Sequence, residues 1–231
     1  MPQSRHYRTR ASRAPMIKLV TEKRADSLFA IRTDGLESLG HSELSAEVLD
    51  SGLIGEADEF LNYVSHYVTT SRRRINSGET IAYGYWLTRF QDAGHNILET
   101  WEYKADATDF VKGANLTLRY WRDQHLTCKL HGAEFRPPRP DKLTVISDGV
   151  LQGLPVEGVR YPSPDHMSGW WITTDQYNGD IKTLKHQHTY HVTASRPELA
   201  KYLALPDGFR FMFEPEENVW CDENVAKTAP G

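Results

Sequence analysis

The sequence predicts an α+β protein of two sub-domains, each a mostly antiparallel sheet covered by one or two helices. Three observations lead to this prediction. Short alternating apolar segments occur in both halves of the 231-residue chain, each half also contains a segment with helical periodicity, and a proline-rich stretch separates the halves. Alternation with a period of two is typical of half-buried strands, whereas a period of 3.6 indicates an amphipathic helix.

Composition is that of an ordinary globular protein, with 39% hydrophobic and 25% charged residues. A chain of this length buries about 70% of its unfolded surface, so we expect it to fold without metal, disulfides or a cofactor. Cys128 and Cys221 are too few for a secreted disulfide framework, and no apolar run is long enough for a signal sequence or a membrane span. We therefore expect a cytoplasmic protein that makes no membrane contact.

Charge is divided unevenly along the chain. Residues 1–27 are basic, and the rest carries a formal charge of −9, against −4 for the whole chain. We predict that residues 1–27 form a basic, flexible arm on an acidic body. The alternatives are a nucleic-acid-binding tail and a translation start at Met16; nucleic acid is not the expected partner, because a plain extension explains the arm more simply.

Residues 28–136 are predicted to form the first sub-domain. It opens with the strand-like segment SLFAIRTDG, and a second strand is expected where Leu44, Ala46 and Val48 alternate with polar residues. From Glu56 to about Arg74, apolar residues recur on one helical face. The three arginines that end this segment, Arg72 to Arg74, suit the negative end of a helix dipole; an anion site is the alternative.

The rest of this sub-domain is predicted to consist of two strands and a helix. The segments TIAYGYWLTRF and NILETWEYK alternate in polarity, and the turn QDAGH joins them. Residues 107–131 fit either a helix or a strand, and their length favours a helix. Three prolines within residues 137–140 then break the pattern, so we predict a stiff linker over residues 137–142.

Residues 143–225 are predicted to form the second sub-domain, followed by a short tail, residues 226–231. Its expected strands are VEGVRY, GWWITT, HTYHVTA, GFRFMF and VWCD. A helix is expected to start with Ser195 as N-cap, Pro197 in the first turn and Glu198 completing a capping box. Its buried stripe would consist of Leu199, Tyr202 and Leu203.

Four segments of this second half carry a resemblance to a known family. In chain order they read VISDGVL, PVEGVRYPSPDHMSGWWI, RPELAKYLALPDGFRF and VWCD. Together they resemble the immunity protein 33 family, over residues 143–225 and not in the N-terminal half. The resemblance implies an immunity protein that binds a cognate protein toxin exchanged between competing bacteria and neutralises it. The acidic body suits a basic toxin, because complementary charge accelerates encounter.

The Ser-Gly-Trp turn is the predicted centre of partner binding. On a strand, Trp170 and Trp171 point to opposite faces, and we assign Trp170 to the core because it is the tryptophan of the Ser-Gly-Trp series that resembles the family; burial of both rings between sheet and helices is the alternative. The predicted partner-binding residues are Tyr161, Asp165, His166, Ser168 and Trp171.

Two arrangements of reactive side chains provide alternatives to pure binding. His186 and His188 would project to the same side of a strand near His191, a spacing that can hold a metal, so a metal-dependent hydrolase is one alternative. Asp165, His166 and Ser168 have the residue types of a nucleophilic triad, but groups within one turn rarely converge. With no phosphate-binding loop or zinc-protease motif present, we predict a non-enzymatic protein without a metal; a generic protein-interaction module is the third possibility.

Overall fold

The computed structural model describes residues 17–227, and they form two sheets with helices packed against each. The N-terminal sheet has the order β1-β2-β3-β6-β5-β4, with β7 paired to β6, and only β3 and β6 run parallel. Its strands are β1 (Lys18–Ala25), β2 (Leu28–Asp34), β3 (Glu43–Val48), β4 (Thr80–Tyr83), β5 (Trp86–Asp92), β6 (Ile97–Tyr103) and β7 (Phe110–Lys112). The predicted alternation of β3 is confirmed, since Leu44, Ala46 and Val48 are fully buried.

The first predicted helix is confirmed as α1 (Ile54–Ser71), whose buried stripe includes Phe60, Leu61 and Val64. The explanation offered for the arginines is wrong, however. The helix ends at Ser71, and Arg72 adopts a left-handed conformation with φ 52°. The arginines therefore follow the helix and do not lie in its last turn.

The segment TIAYGYWLTRF is a hairpin, so its prediction as one strand is wrong. Tyr83 at the end of β4 pairs with Trp86 at the start of β5, and Gly84 lies in the turn with φ 60°. A two-residue hairpin turn needs positive φ, which glycine adopts without strain. A side chain at position 84 would also lie 2.9 Å from the ring of Trp121.

The second predicted helix is confirmed as α2 (Asn115–Leu130), although Phe110–Lys112 ahead of it form strand β7. A buried carboxylate caps its N-terminus. Glu102 accepts hydrogen bonds from the backbone N–H groups of Leu116 (3.0 Å) and Thr117 (2.7 Å). Burial raises the pKa of Glu102 in spite of these bonds.

The prediction of a flexible arm over residues 1–27 is wrong for the eight residues that form β1. This strand pairs with β2 from Lys18 opposite Asp34 to Ala25 opposite Leu28. The apolar alternation that predicts a strand is missing from β1, because β1 is an edge strand rich in charged residues. Leu19 is its half-buried residue and packs against the core. Residues 1–16 and the last four of the tail lie outside the described residues.

The C-terminal sheet has the order β11-β8-β10-β9-β12-β13, and only β8 and β10 run parallel. Its strands are β8 (Leu143–Ile146), β9 (Val156–Arg160), β10 (Met167–Thr174), β11 (Lys185–His188), β12 (Phe209–Phe213) and β13 (Asn218–Cys221). The prediction of an α+β fold with two mostly antiparallel sheets is confirmed.

The segment HTYHVTA is the short helix α3 (Thr189–Ser195), so its prediction as a strand is wrong. Thr189, Val192 and Thr193 are its buried residues, and their spacing is helical. The predicted serine cap is also wrong. A 3-10 helix starts at Pro197, and Arg196, not Ser195, occupies the N-cap without a side-chain hydrogen bond to the helix. A short helix, α4 (Glu223–Ala226), follows the last strand.

Two hydrophobic cores hold the fold together. The predicted stripe of Leu199, Tyr202 and Leu203 is confirmed as fully buried in the core beneath the C-terminal sheet. That core also contains Tyr120 and Cys128 from α2, whereas Leu118 of the same helix packs in the core beneath the N-terminal sheet. The predicted linker, residues 137–142, lies between α2 and β8. The sub-domain boundaries drawn there stay a prediction.

Candidate partner-binding face

The C-terminal sheet has an inner face towards the helices and an outer face on the opposite side. Inward-pointing Trp170, Ile172 and Phe211 are fully buried, which confirms the assignment of Trp170 to the core. Strand pairing defines the outer face, because residues aligned across neighbouring strands point the same way. One aligned row crosses all six strands as His186, Val145, Trp171, Val159, Arg210 and Trp220. Glu157, Tyr161, Thr173 and Met212 lie beside this row on the same face.

Val145 is buried, but the other apolar residues of this outer face belong to neither core of the described chain. Trp171, Val159 and Trp220 are half-buried, and Met212 is 42% exposed. The Tyr161 and Trp171 rings meet edge to face, with centroids 5.9 Å apart. Large aromatic side chains therefore stand on a sheet face outside both cores.

Arg210 lies in the row and is held by two carboxylates. Its guanidinium pairs with Glu157 and lies 3.2 Å from Asp222, and its central carbon lies 5.5 Å from the Trp220 ring. Partial burial acts to lower the pKa of Arg210, but the two acidic partners outweigh it and hold that pKa above the ordinary value. The guanidinium is thus a fixed, charged part of the face.

One end of the sheet is acidic. The strands β8, β10 and β12 finish at this end, and the chain places Asp148, Asp175, Glu214 and Glu216 directly after them. Lys185 pairs with Asp148 here, whereas among residues 17–227 Asp175, Glu214 and Glu216 have no cationic partner. Residues 143–225 contain twelve acidic and six basic residues, a formal charge of −6.

Four of the five predicted partner-binding residues are accessible. Trp171 and Tyr161 lie on the outer face, while Asp165 and His166 are exposed on the turn before β10. These last two line a shallow depression with Asp141, Leu143 and His188, among others, at the end opposite the acidic residues.

Ser168 is the exception and cannot contact a partner in this fold. It is 4% exposed; its hydroxyl lies 2.8 Å from the Thr144 hydroxyl and accepts the backbone N–H of Trp170 at 3.2 Å. Ser168 lies two residues before the buried Trp170, and residues two apart in a strand point to the same face, so its side chain is directed inward. Between them Gly169 adopts φ 85°, where the pairing of β10 with β8 shifts register between Met167 and Trp171. A side chain on Gly169 would lie 2.5 Å from the Tyr161 carbonyl oxygen.

The Ser-Gly-Trp series therefore has a structural role: Ser168 and Trp170 are buried, so Trp171 points to the outer face. Trp170 completes it by donating its indole N–H to the Leu203 carbonyl at 3.1 Å. Sequence reasoning missed the outer-face residues of β9, β12 and β13, namely Glu157, Val159, Arg210, Met212 and Trp220. Their signal was present, since Arg210 and Met212 alternate with the buried Phe209 and Phe211.

The histidines do not converge. His186 and His188 share one side of β11, as predicted, because they pair with Val145 and Leu143. The rings of His188 and His191 have centroids 6.1 Å apart, and Tyr190 stacks against both. Within residues 17–227 no three histidine, cysteine or acidic side chains are placed to hold a metal. Nor are the triad residue types brought together, since Ser168 is buried while Asp165 and His166 are exposed.

Comparison with known proteins gives a single finding. Neither the curated proteins nor the solved structures contain a significant match. Across the described residues, every helix is too short or too polar to cross a bilayer. Residues 123–222, which begin within α2 and end after β13, match the family described as the Imm33-like domain, and this confirms over that segment the predicted resemblance to the immunity protein 33 family.

Proposed function

We propose that this protein is an immunity protein that binds a cognate bacterial toxin through the outer face of its C-terminal sheet. Binding blocks the toxin without catalysis, in the cytoplasm of the producing cell. The observation that carries the proposal is the row of Trp171, Val159, Arg210 and Trp220, which lies within the Imm33-like segment and outside both cores.

The chemistry of this face suits a protein partner. Tryptophan, tyrosine and arginine are the residue types that contribute most to protein–protein binding, and they do so near the centre of an interface. Here Trp171 and Tyr161 form an edge-to-face pair, and Arg210 is fixed between carboxylates. A partner therefore meets side chains that are already ordered, which lowers the entropic cost of association.

Charge supports a basic toxin. The acidic end of the sheet has three carboxylates with no cationic partner in the described chain, those of Asp175, Glu214 and Glu216. A positive partner surface would be attracted to this end while its apolar residues cover Trp171. Such complementarity raises the association rate and disfavours wrong partners. The accessible predicted residues Asp165 and His166 would contact the toxin at the opposite end of the face.

Protection of a bacterial host tests the proposal. The product of the gene beside that of this protein, taken as the candidate toxin, is expressed alone and with the protein, and growth is followed. We expect wild-type protein to restore growth and Trp171→Ala to fail, with its affinity for the purified toxin reduced about 30-fold or more, as for an interface hot spot. Trp101→Ala is the matched control, because Trp101 is a half-buried tryptophan on the N-terminal sheet.

The control variant should protect as well as wild type. Circular dichroism of both variants separates loss of binding from loss of folding. Binding without protection would assign the face to a general interaction module, and protection that is unaffected by Trp171→Ala would place the toxin contact elsewhere.

A further inference from the structure

A groove lies in the N-terminal half between α1 and the edge strand β4. Tyr63 and Tyr67, one helical turn apart on α1, form one wall, and residues 78–81, which include the acidic Glu79, form the other. Arg74 and Ile75 close its end, and the cavity has a volume of about 530 Å³. Tyr63 is 53% exposed and Tyr67 is 41% exposed, so both rings face solvent although each offers a large apolar surface.

The second wall is the free edge of a sheet. β4 ends the strand order and pairs only with β5, and the pairing is extended by the bond from Gly78 N–H to the Phe90 carbonyl (2.7 Å). Alternate residues of an edge strand direct their N–H and C=O groups away from the sheet, where an added strand can bond them. Thr80 and Ala82 are exposed along this edge.

The opposite edge of the same sheet is protected, and β4 is not. β1 has Lys18, Glu22, Lys23 and Arg24 along its length, and charged side chains discourage the addition of another strand. The four residues of β4, Thr80–Tyr83, carry no charge.

Charge indicates the class of segment that fits this groove. Arg72, Arg73 and Arg74 are exposed, and in the described part of the chain none of them has an ion-pair partner. Of the three, Arg74 lines the groove. Glu79 also lines it, but its carboxylate already accepts hydrogen bonds from the backbone and side-chain N–H groups of Asn76, so Arg74 is the unpaired charge of the groove. An unpaired arginine favours a carboxylate in the bound segment, since arginine pairs with carboxylates through two parallel hydrogen bonds.

We propose that this groove binds an extended acidic segment of another protein, added as a strand on the free edge of β4. In that arrangement an apolar side chain of the segment lies against Tyr63, Tyr67 and Ile81, and a carboxylate pairs with Arg74. The groove is separate from the outer face of the C-terminal sheet, so this proposal does not depend on the proposed toxin contact.

Peptide selection on the full-length protein tests this proposal. A phage library of random 12-residue peptides is selected on the immobilised protein, and enriched peptides are synthesised and measured by fluorescence anisotropy. We expect peptides that combine Asp or Glu with β-branched or aromatic residues. Arg74→Glu should weaken their binding about 10-fold or more, as reversal of a contacting charge does. Tyr67→Ser should weaken it as well.

Two controls make the result specific. Arg119→Glu makes the same charge change at an exposed position of α2 and should alter affinity less than about 2-fold. Trp171→Ala should also leave it unchanged. Amide hydrogen exchange should show new protection at Thr80 and Ala82 when peptide binds. The proposal is overturned if no peptide is enriched, if enriched peptides bind Arg74→Glu normally, or if a labelled uridine oligonucleotide, not an acidic peptide, is the ligand that depends on Arg74.

Discussion

The outer faces of the two sheets differ in the kind of side chain that they carry. On the N-terminal sheet, Lys112 lies 2.7 Å from Glu99 and 3.2 Å from Glu47, and Arg24 lies 2.8 Å from Glu47. Even Trp101 on this face is bonded, donating its indole N–H to Glu99 at 2.9 Å. The carboxylates of Glu47 and Glu99 are thus paired with cations of the same face.

The outer face of the C-terminal sheet has apolar residues beside the paired Arg210 in its middle row, and carboxylates without a cationic partner in the described chain at one end. Trp171, Val159 and Trp220 lie in the middle row, while Asp175 and Glu216 stand at the acidic end without a cation from the described chain. An antiparallel sheet commonly leaves one face to water, and that face is then polar. An exposed apolar patch instead indicates a partner. We therefore propose the second face, and not the first, as the one that binds a partner.

The largest expected effect separates the two sides of β10. Trp170→Ala should lower the free energy of unfolding by about 3–5 kcal/mol, as truncation of a buried aromatic residue does. Trp171→Ala should cost under about 1 kcal/mol, because this ring belongs to neither core. Urea denaturation of both variants measures the difference. Equal losses of unfolding free energy in the two variants would mean that Trp171 stabilises the fold as Trp170 does. The proposed difference between the inner and outer faces of β10 would then be wrong.

An intermediate effect concerns the unpaired carboxylates. The double variant Asp175→Lys, Glu216→Lys should slow association with the toxin about 10-fold at low salt, because it removes electrostatic attraction. The control Asp26→Lys, Asp34→Lys makes an equal charge change at two exposed residues of the N-terminal half, one in the turn between β1 and β2 and one at the end of β2. Stopped-flow measurements at several salt concentrations should show a shallower salt dependence for the first variant only. If both double variants slow association equally, the effect comes from the net charge of the protein and not from the position of these carboxylates.

The smallest effect sharpens the description of the N-terminal face. Lys112→Met should lower stability by no more than about 1 kcal/mol at pH 7, the range of exposed ion pairs. The hydrogen bond to Glu99 is the main cause that raises the pKa of Lys112 in the folded protein. The ion-pair stabilisation is therefore complete below the ordinary lysine pKa and is lost as the pH rises through the folded value.

Chemical denaturation at several pH values checks this sign. The stability difference between wild type and Lys112→Met should shrink above about pH 10.4, the ordinary pKa of lysine. A difference that stays constant across this pH range would show that the lysine acts through packing of its aliphatic stem and not through the ion pair.

Local sequence patterns were sufficient to predict most of the helices and strands. The helix α1, the alternation of β3 and the buried stripe at Leu199 and Tyr202 follow from spacing within one segment. The errors fall where a local signal was short or ambiguous. HTYHVTA has β-type residues but forms α3, because burial of Thr189 and Val192 in the C-terminal half outweighs strand propensity. Likewise Gly84 divided a strand-like run into a hairpin.

The sequence by itself determined that Trp170 and Trp171 differ, that the body is acidic, and that residues 143–225 resemble an immunity family, because each depends on neighbouring residues or composition. Only the tertiary structure decided which residues share the outer face. His186, Trp171 and Trp220 are brought into one row by strand pairings between distant segments. The register shift between Met167 and Trp171, beside Gly169, is likewise set by the pairing of β10 with β8. Pairing order and bulges arise from non-local hydrogen bonds, which local periodicity does not encode.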